Sequence, residues 1–371
     1  MLKIASLDVE PLSVPLREPF VIATGRVDAT RAALVEAVVV DERTGRVGRG
    51  LGEAAALPPV TAVDQPELLV ELSRTLPRLA DARFRGHAGL AAAVDDLALE
   101  PVARAAVESA LLFAWADALG VPMHRLLGTS PRDDGVGPFV VETDITIPIA
   151  EPAHMGALAA RWRARGFRSF KVKVGRGEDL GGADADDKAL AHVAERVPAA
   201  RVRLDGNAGQ TPERAAALFR LALDLGLVVE LVEQPTPSDD VVALAGLAAR
   251  LPVPVVADES AGSLQDVAAL AAAGVTGANL KLVKHGGPIA ATTIGRFARR
   301  RRMALMAGAM VETRVGLSAM LHVVRALTPW GTQAPAVDLD TAFLLASDPF
   351  QGGYDVDGAR LVLRDGGPRR A

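Results

Sequence analysis

The chain has 371 residues, of which half are hydrophobic and 23% are charged, and its formal net charge is −4. This composition supplies enough apolar material for an extensive core and excludes a disordered chain. The small net charge and the lack of a basic run flanked by aromatic residues argue against nucleic acid or an anionic membrane surface as a partner. No cysteine occurs, which excludes disulfides and thiolate chemistry and is compatible with the cytoplasm.

The first 125 residues predict a separate α+β domain. Residues 32–40 alternate as a strand does, and a long apolar segment predicts a helix that ends at Gly120. The glycines between Gly45 and Gly52 lack the strand and helix that flank a nucleotide-binding GxGxxG motif, so they do not predict such a site. We also expect neither an export signal nor a membrane span, because no long uninterrupted apolar run occurs.

Residues 126–340 have the organisation of repeated βα units around a parallel sheet. A predicted helix after one strand has Thr211 to cap its start, Pro212 in its first turn and Gly226 at its stop. Eight strands in this region make a closed α/β barrel plausible. The predicted strands cover residues 139–147, 169–175, 202–207, 228–235, 254–260, 277–284, 303–310 and 336–340.

Two segments are predicted to be largely irregular. Residues 175–188 are rich in glycine and aspartate, and we expect an exposed flexible loop there. Residues 341–371 predict turns and a short strand that returns to the N-terminal domain.

Three acids end successive predicted strands: Asp205, Glu233 and Asp258. Because the carboxyl ends of barrel strands converge on one face, these carboxylates should meet. Three clustered carboxylates would raise one another's pKa, whereas a hard ion such as Mg²⁺ binds oxygen ligands and removes that repulsion. The sequence therefore predicts a magnesium site.

The lysines point to proton transfer. Only six of the 41 basic residues are lysines, and four of them fall on two predicted strands. A desolvated lysine can act as a base where arginine cannot. Strand alternation places Lys171 and Lys173 on one face, while Lys281 and Lys284 should face opposite ways. We therefore assign chemistry to Lys173 and Lys281, which flank the metal from opposite walls, and leave Lys284 at the rim, either structural or functional.

Together the motifs KVKVG, RLDGN, VEQP, ADES and NLKLVKHGG resemble the muconate-lactonizing branch of the enolase superfamily over nearly the whole chain. The resemblance implies a TIM-like (β/α)₇β barrel with an N-terminal α+β capping domain. It also implies one Mg²⁺ on the three acids and Lys173 and Lys281 as the acid/base pair. The branch contains dipeptide epimerases, cycloisomerases, o-succinylbenzoate synthases and N-acylamino acid racemases, so the barrel alone does not name the substrate.

The segment VDLDTAFLLASDPFQGG is similar to the DxD signature of dipeptide epimerases, in which the two aspartates, here Asp338 and Asp340, hold the ammonium of the dipeptide. A similar arginine to Arg26 in alanyl-glutamate epimerases meets the acidic side chain of the substrate. Lys171 is expected to help bind the carboxylate, and Val311 to form part of the pocket wall. The resemblance thus implies an isomerase that acts on a dipeptide, with L-Ala-D/L-Glu as the first candidate.

Two other functions stay open at this stage. A cycloisomerase, o-succinylbenzoate synthase or N-acylamino acid racemase would use the same metal and lysines, and would not need Asp338 and Asp340. A non-catalytic, metal-dependent binding protein is the more remote alternative. His285 beside Lys284 is expected to be structural, and a homo-oligomer is expected from the resemblance alone.

Overall fold

The structure, a computed structural model, describes residues 1–22, 25–58, 60–129, 137–177, 180–329 and 332–371, with no side-chain description at residues 20–22 and 25. Its strands are β1 (Leu2–Leu12), β2 (Pro15–Ile22), β3 (Gly25–Ala29), β4 (Arg31–Asp41), β5 (Val47–Ala56), β6 (Arg83–Phe84), β7 (Val140–Glu142), β8 (Ile145–Ile147), β9 (Ser169–Lys173), β10 (Arg201–Asp205), β11 (Val228–Glu233), β12 (Val255–Ala257), β13 (Gly277–Leu280), β14 (Ala304–Gly308), β15 (Ala336–Asp338), β16 (Phe350–Asp357) and β17 (Arg360–Arg370).

The helices alternate with the strands in the second part of the chain. They are α1 (Gln65–Thr75), α2 (Gly86–Asp95), α3 (Pro101–Leu119), α4 (Met123–Leu126), α5 (Pro152–Ala164), α6 (Gly182–Arg196), α7 (Pro212–Asp224), α8 (Val241–Ala248), α9 (Leu264–Ala273), α10 (Leu282–His285), α11 (Pro288–Arg300), α12 (Arg314–Ala326) and α13 (Thr341–Leu344), with a short 3₁₀ turn at Leu76–Leu79.

The N-terminal part is an antiparallel sheet, in the order β5-β4-β1-β6, with helices packed against it. Strand β5 lies directly on α3, because Gly48, Gly50 and Gly52 present no side chain to that helix. A Cβ atom on Gly50 would lie 2.2 Å from the carbonyl oxygen of Ala110. The glycine run that could have suggested nucleotide binding therefore serves close packing between a strand and a helix.

Eight parallel strands, in the order β8 to β15, form the second part. The two end strands are joined by a parallel bridge between Thr143 and Val337, and the N–H of Asp144 donates to the carbonyl of Val337 at 3.1 Å. Helices connect the strands, as parallel pairing requires. The predicted TIM-like barrel with a separate N-terminal α+β domain is confirmed, and its catalytic face is set by the carboxyl ends of the strands.

Local signals fix several helix starts in this barrel. The side chain of Thr211 accepts a hydrogen bond from the N–H of Arg214 at 3.2 Å, and Pro212 lies in the first turn of α7, as predicted. Ser263 and Asp266 form a reciprocal capping box at the start of α9. Each cap ends a loop at the catalytic face and so positions the residue that follows the preceding strand.

Two expectations about secondary structure were wrong. The first predicted strand, residues 139–147, is divided: β7 pairs with β17, and only β8 belongs to the barrel. The expected loop at residues 175–188 becomes helix from Gly182, because Gly181 adopts φ 91° and starts α6. Asp186 on that helix is buried and accepts hydrogen bonds from Arg176 Nε at 2.9 Å and the N–H of Gly175 at 2.8 Å.

Residues 341–371 contain more structure than expected. Instead of turns and one short strand, β16 and β17 form a hairpin that extends to β7. Arg370 of β17 forms an ion pair with Glu10 of β1 at 2.7 Å, which links this hairpin to the N-terminal sheet. The domain boundaries at residues 125 and 340 stay predictions. None of the helices in the described ranges is long and apolar enough to cross a membrane, and the cytoplasmic location also stays a prediction.

Candidate active site

The three predicted metal ligands meet at the carboxyl ends of adjacent strands. Asp205 is the last residue of β10, Glu233 is the last of β11 and pairs with Asp205 in register, and Asp258 follows β12. All three carboxylates are buried. The barrel thus places three acids from three consecutive βα units around one point.

Lys171 and Lys173 lie on the same face of β9, beside these acids. Nζ of Lys173 is 2.6 Å from Oδ2 of Asp205 and 2.9 Å from Oδ1 of Asn207. Nζ of Lys171 is 2.5 Å from Asp338, 3.3 Å from Asp205 and 3.5 Å from Glu233. The alternation read from the sequence therefore brings both ammonium groups to the catalytic face.

Lys281 lies on the opposite wall of the barrel, since β13 is four strands from β9. Its Nζ is 2.7 Å from Oδ2 of Asp258. The expectation that Lys284 faces away at the rim was wrong, because Lys284 is not on a strand. The strand ends at Leu280, and the short helix α10 brings Lys284 Nζ within 2.7 Å of Oδ1 of Asp258.

The electrostatics of the acid set are set by burial and by the lysines. Burial and the nearby carboxylate of Asp205 raise the pKa of Glu233 to about 7. For Asp258, burial acts to raise the pKa, but Lys281 and Lys284 outweigh it and hold the pKa far below its usual range. Burial likewise acts to lower the pKa of Lys171, and the acids around it, Asp338 first among them, reverse that and raise it well above the usual value. The nearby lysines thus stabilise the charged forms of Asp205 and Asp258 better than that of Glu233.

Glu233 provides the test of whether a cation fits here. Its Oε1 accepts a hydrogen bond from Nδ2 of Asn279 at 2.7 Å, while its buried Oε2 has no hydrogen-bond partner among the described residues. A buried carboxylate oxygen without a partner costs free energy that a hard cation would recover. Carboxylates from three strand ends are the oxygen donors that Mg²⁺ prefers, so Asp205, Glu233 and Asp258 fit that ion.

A second acid group adjoins the first. Carboxylate oxygens of Asp144, Asp338 and Asp340 lie within 4.8 Å of one another, which makes them the tightest acid cluster in the described part of the chain. Cations and donors already occupy much of it: Lys171 contacts Asp338, Arg203 contacts Asp144 at 2.6 Å, and the N–H of Thr146 donates to Asp340 at 2.7 Å. At the strand-end acids, Oε2 of Glu233 accepts no hydrogen bond from the described residues, and the ammonium of Lys171 lies 3.5 Å from it.

The carboxylates of Asp144, Asp338 and Asp340 can accommodate one more positive charge. Burial and the neighbouring Asp338 raise the pKa of Asp340 to about 6, and burial raises the pKa of Asp144 well above its usual value. Oδ1 of Asp144 also has no hydrogen-bond partner among the described residues. A cationic group of a ligand would lower the free energy of these carboxylates, which agrees with the predicted ammonium site at Asp338 and Asp340.

A single cavity of about 70 Å³ joins the two acid groups. The lysines Lys171, Lys173 and Lys281 line it together with Asp258, Asp338 and Asp340. The rest of its wall is largely apolar and comes from both parts of the molecule. The apolar residues are Val311, Leu16, Leu57, Val60, Ala309, Met310 and Leu344. The cavity therefore lies between the barrel mouth and the N-terminal domain.

Arg26 is not among the residues that line this cavity. It lies on β3, its side chain is 60% exposed, and it pairs with Asp28 at 3.1 Å. The guanidinium thus lies in solvent, paired with a neighbour two residues away, and its expected contact with the acidic side chain of a substrate stays a prediction. Residues 23–24, which belong to the same predicted capping loop, fall outside the described residues.

Sequence reasoning missed several polar groups of the site. Glu259 lines the cavity and accepts a hydrogen bond from Asn207 at 3.3 Å, although its position directly after Asp258 was a usable signal. Asn279 holds Glu233 from β13, two residues before Lys281 and on the same strand face. Thr146 acts through its backbone N–H, which no side-chain pattern reveals. His285 contacts the carbonyl of Gly262 at 2.9 Å, and burial lowers its pKa to about 3, in keeping with a structural role.

Comparison with known proteins agrees with this geometry. Residues 154–368 match the family described as enolase C-terminal domain-like. The chain is 30% identical to the L-Ala-D/L-Glu epimerase of Bacillus subtilis over 98% of this chain and 94% of that protein. The chain belongs to the enolase superfamily.

Two further members of the superfamily are similar over their full length. The aromatic dipeptide epimerase of Herpetosiphon aurantiacus is 32% identical over 98% of this chain and 96% of that protein. The solved dipeptide epimerase of Enterococcus faecalis, complexed with Mg and the dipeptide L-Leu-L-Tyr, is 27% identical and superposes with a TM-score of 0.84 over 98% of each chain. The enolase-superfamily barrel and its cap are thus shared along the whole chain.

Proposed function

We propose that this protein is a magnesium-dependent dipeptide epimerase, an isomerase that moves the α-proton of the carboxyl-terminal residue. The observation that carries the proposal is one cavity with lysines on opposite walls, a metal-binding set of acids between them and a second acid pair beside them. The names of the relatives support the same reaction, and L-Ala-L-Glu is the first substrate to test because the B. subtilis relative carries that name.

The metal would be held by Asp205, Glu233 and Asp258. A bound divalent cation supplies electrostatic stabilisation of the negative charge that develops on the substrate carboxylate as the α-proton leaves. Asn279 fixes Oε1 of Glu233, and Oε2, which accepts no hydrogen bond from the described residues, would face the ion. The protein's contribution is therefore an oriented set of oxygen donors in a buried site.

Lys173 and Lys281 carry the proton. Each lies within 2.7 Å of an acid of the metal set, so each is fixed in place before the substrate enters. Because they come from opposite walls, one removes the proton from one face of the α-carbon and the other returns a proton to the other face, which inverts the centre. The direction depends on which stereoisomer is bound.

Asp338 and Asp340 would hold the free ammonium of the dipeptide. Both are buried, and the backbone N–H of Thr146 orients Asp340. This requirement for a cationic end distinguishes a dipeptide from muconate or an N-acylated amino acid, neither of which has an ammonium group. Lys171 neutralises one oxygen of Asp338 and lies near the metal acids, where it can also meet the substrate carboxylate.

Deuterium exchange tests the proposal. A library of L,L-dipeptides is incubated with the protein and Mg²⁺ in D₂O, and mass spectrometry follows deuterium at the α-position while chiral chromatography follows inversion. We expect exchange and inversion at the carboxyl-terminal residue. Turnover of muconate, of an o-succinylbenzoate precursor or of N-acylamino acids with no exchange in any dipeptide would contradict the proposal and favour the related lyase or racemase reactions.

A further inference from the structure

A second cavity adjoins the catalytic one. Its volume is about 220 Å³, against about 70 Å³ for the catalytic cavity. It lies between residues 17–19 of β2, helix α5 and the segment that follows β15. Both parts of the molecule therefore contribute to its walls, and the proton-transfer scheme leaves it unused.

The two cavities share two residues, Thr146 and Leu344. Thr146 is also the residue whose N–H holds Asp340 at 2.7 Å. A substrate ammonium on Asp340 would thus lie next to the boundary between the cavities. With the carboxyl end of the same substrate at the metal acids, as proposed above, the side chain of its amino-terminal residue would lie beside the second cavity.

Aromatic rings form the floor of this second cavity. Trp162 and Phe343 line it and are both buried. Phe167 contacts both rings edge-on, with ring centroids 5.3 Å from that of Trp162 and 4.9 Å from that of Phe343. Leu158 and Pro148 complete an apolar surface that is rigid because its rings are mutually packed.

The rim of the cavity is charged and mainly positive. Glu18 of β2 and Arg161 of α5 form a two-bond ion pair across it, at 2.7 and 3.0 Å. The guanidinium of Arg165 lies 4.4 Å from the ring centre of Trp162, and Arg17 also lines the rim. Three arginines against one glutamate disfavour a cationic side chain and leave flat guanidinium faces for an aromatic ring.

We propose that the second cavity is the subsite for the amino-terminal side chain of the dipeptide and that it selects an aromatic residue there. This inference rests on the proposed epimerase function and adds to it a preference at the other end of the substrate. A buried aromatic side chain gains from apolar burial and ring contacts, whereas alanine leaves the cavity empty. Lysine would meet the positive rim.

The test compares L-Phe-L-Glu, L-Ala-L-Glu and L-Lys-L-Glu at a fixed carboxyl-terminal residue. In the unaltered enzyme kcat/KM for the Phe peptide should exceed that for the Ala peptide by about tenfold, the amount expected from partial burial of a phenyl group. Leu158→Trp fills the cavity and should bring this ratio to about one. Ala157→Trp adds the same ring on the exposed side of the same helix and should leave the ratio unchanged.

A second variant tests the rim without altering the core. Arg165→Glu should raise the turnover of L-Lys-L-Glu relative to L-Ala-L-Glu by about fivefold or more. Arg163→Glu, two residues earlier in the last turn of α5 and not among the residues that line the cavity, should not. Arg165→Glu decides the matter if Leu158→Trp does not fold. Equal turnover of Phe and Ala peptides by the unaltered enzyme, or the same loss in Ala157→Trp, would overturn the subsite and leave the epimerase proposal standing. No turnover of any dipeptide would overturn both.

Binding gives an independent readout. Trp162 lies in the cavity floor, so selectively excited tryptophan fluorescence should change when L-Phe-L-Glu binds and change less with L-Ala-L-Glu. The difference should disappear in Trp162→Phe. An unchanged difference in that variant would place the aromatic side chain elsewhere and contradict the inference.

Discussion

Lys281 and Lys284 donate to the two oxygens of the same carboxylate, Asp258, each at 2.7 Å. One is a proposed catalytic base and the other comes from the next helical turn, so a single acid links the metal set to the base on this wall. On the facing wall, Asp205 does the same for Lys173 at 2.6 Å. Each proposed base is thus anchored to a proposed metal ligand, which couples metal binding to the position of the proton carriers.

The two proposed bases, Lys173 and Lys281, should have separable roles. Replacing Lys173 or Lys281 by Ala should lower epimerisation by about 10²–10⁴-fold, because a positioned acid/base group contributes that amount. Each variant should still exchange the α-proton of one stereoisomer with solvent, measured as deuterium incorporation into separate L,L and L,D dipeptides. Lys188→Ala is the matched control, since Lys188 is exposed and pairs with Asp184. Full epimerisation in both catalytic variants would contradict the two-base scheme.

Metal binding should stabilise the fold through Glu233. At a Mg²⁺ concentration about 100 times Kd, the free energy of unfolding should rise by about 2.7 kcal/mol. Thermal melting with EDTA and with added Mg²⁺ measures this shift. Glu233→Gln should lose the shift, and without metal it should be at least as stable as the unaltered chain, because a buried ionisable group is removed. Glu142→Gln, an exposed change, should keep the shift intact.

The acid pair at the end of β15 should determine the need for a free amino group. Asp338→Asn and Asp340→Asn should each raise KM for L-Ala-L-Glu by about tenfold or more, since each removes a charge-assisted contact to the ammonium. N-acetylation of the peptide should have a similar effect on the unaltered enzyme and little further effect on the variants. Asp357→Asn, in the exposed hairpin, serves as control. Equal KM values for free and acetylated peptides would show that the ammonium is bound elsewhere.

The glycines of β5 should be sensitive to a single methyl group. In Gly50→Ala the new Cβ would lie 2.2 Å from the carbonyl of Ala110, so α3 would have to move and the protein should lose about 1–3 kcal/mol of stability. Gly246→Ala is the counterpart: this exposed position in α8 has open space, and the change should add about 0.5–1 kcal/mol. Denaturant unfolding of both variants measures the two opposite signs.

Stability should fall with rising pH because of Glu312. Burial and the nearby Glu53 raise the pKa of Glu312 to about 8 from its ordinary value of 4.5. Between these two pKa values the folded chain holds a proton that the unfolded chain has released. The contribution of Glu312 to stability is therefore fully present below about pH 4.5 and is lost as the pH rises to about 8. Over this pH range the free energy of unfolding should fall by on the order of a few kcal/mol, in proportion to the pKa shift of Glu312.

Denaturant unfolding at several pH values tests this dependence. Glu312→Gln should flatten the decline, because the amide cannot ionise and its oxygen can still accept from the N–H of Met310, which donates to Glu312 at 3.0 Å. Glu195→Gln, at an exposed position, should leave the slope as it is. An unchanged slope in Glu312→Gln would assign the pH dependence to other buried acids, with Glu53 the next to test.

The sequence by itself determined the parts of this protein that follow from local pattern. The alternation in FKVKVG determined which lysines share a face, and the positions of three acids at successive strand ends brought their carboxylates together. Both depend only on strand geometry and on the parallel barrel that the βα repeat requires. The strand-end motifs were specific enough to identify the superfamily.

Tertiary structure alone decided those features in which longer-range contacts override the local sequence pattern. Lys284 turned toward Asp258 because the chain leaves the strand at Leu280, and residues 182–188 became helix because Arg176 offers Asp186 a buried partner. The second cavity exists only because β2 packs against α5 across about 140 residues of chain, and no local pattern encodes a space between two distant surfaces.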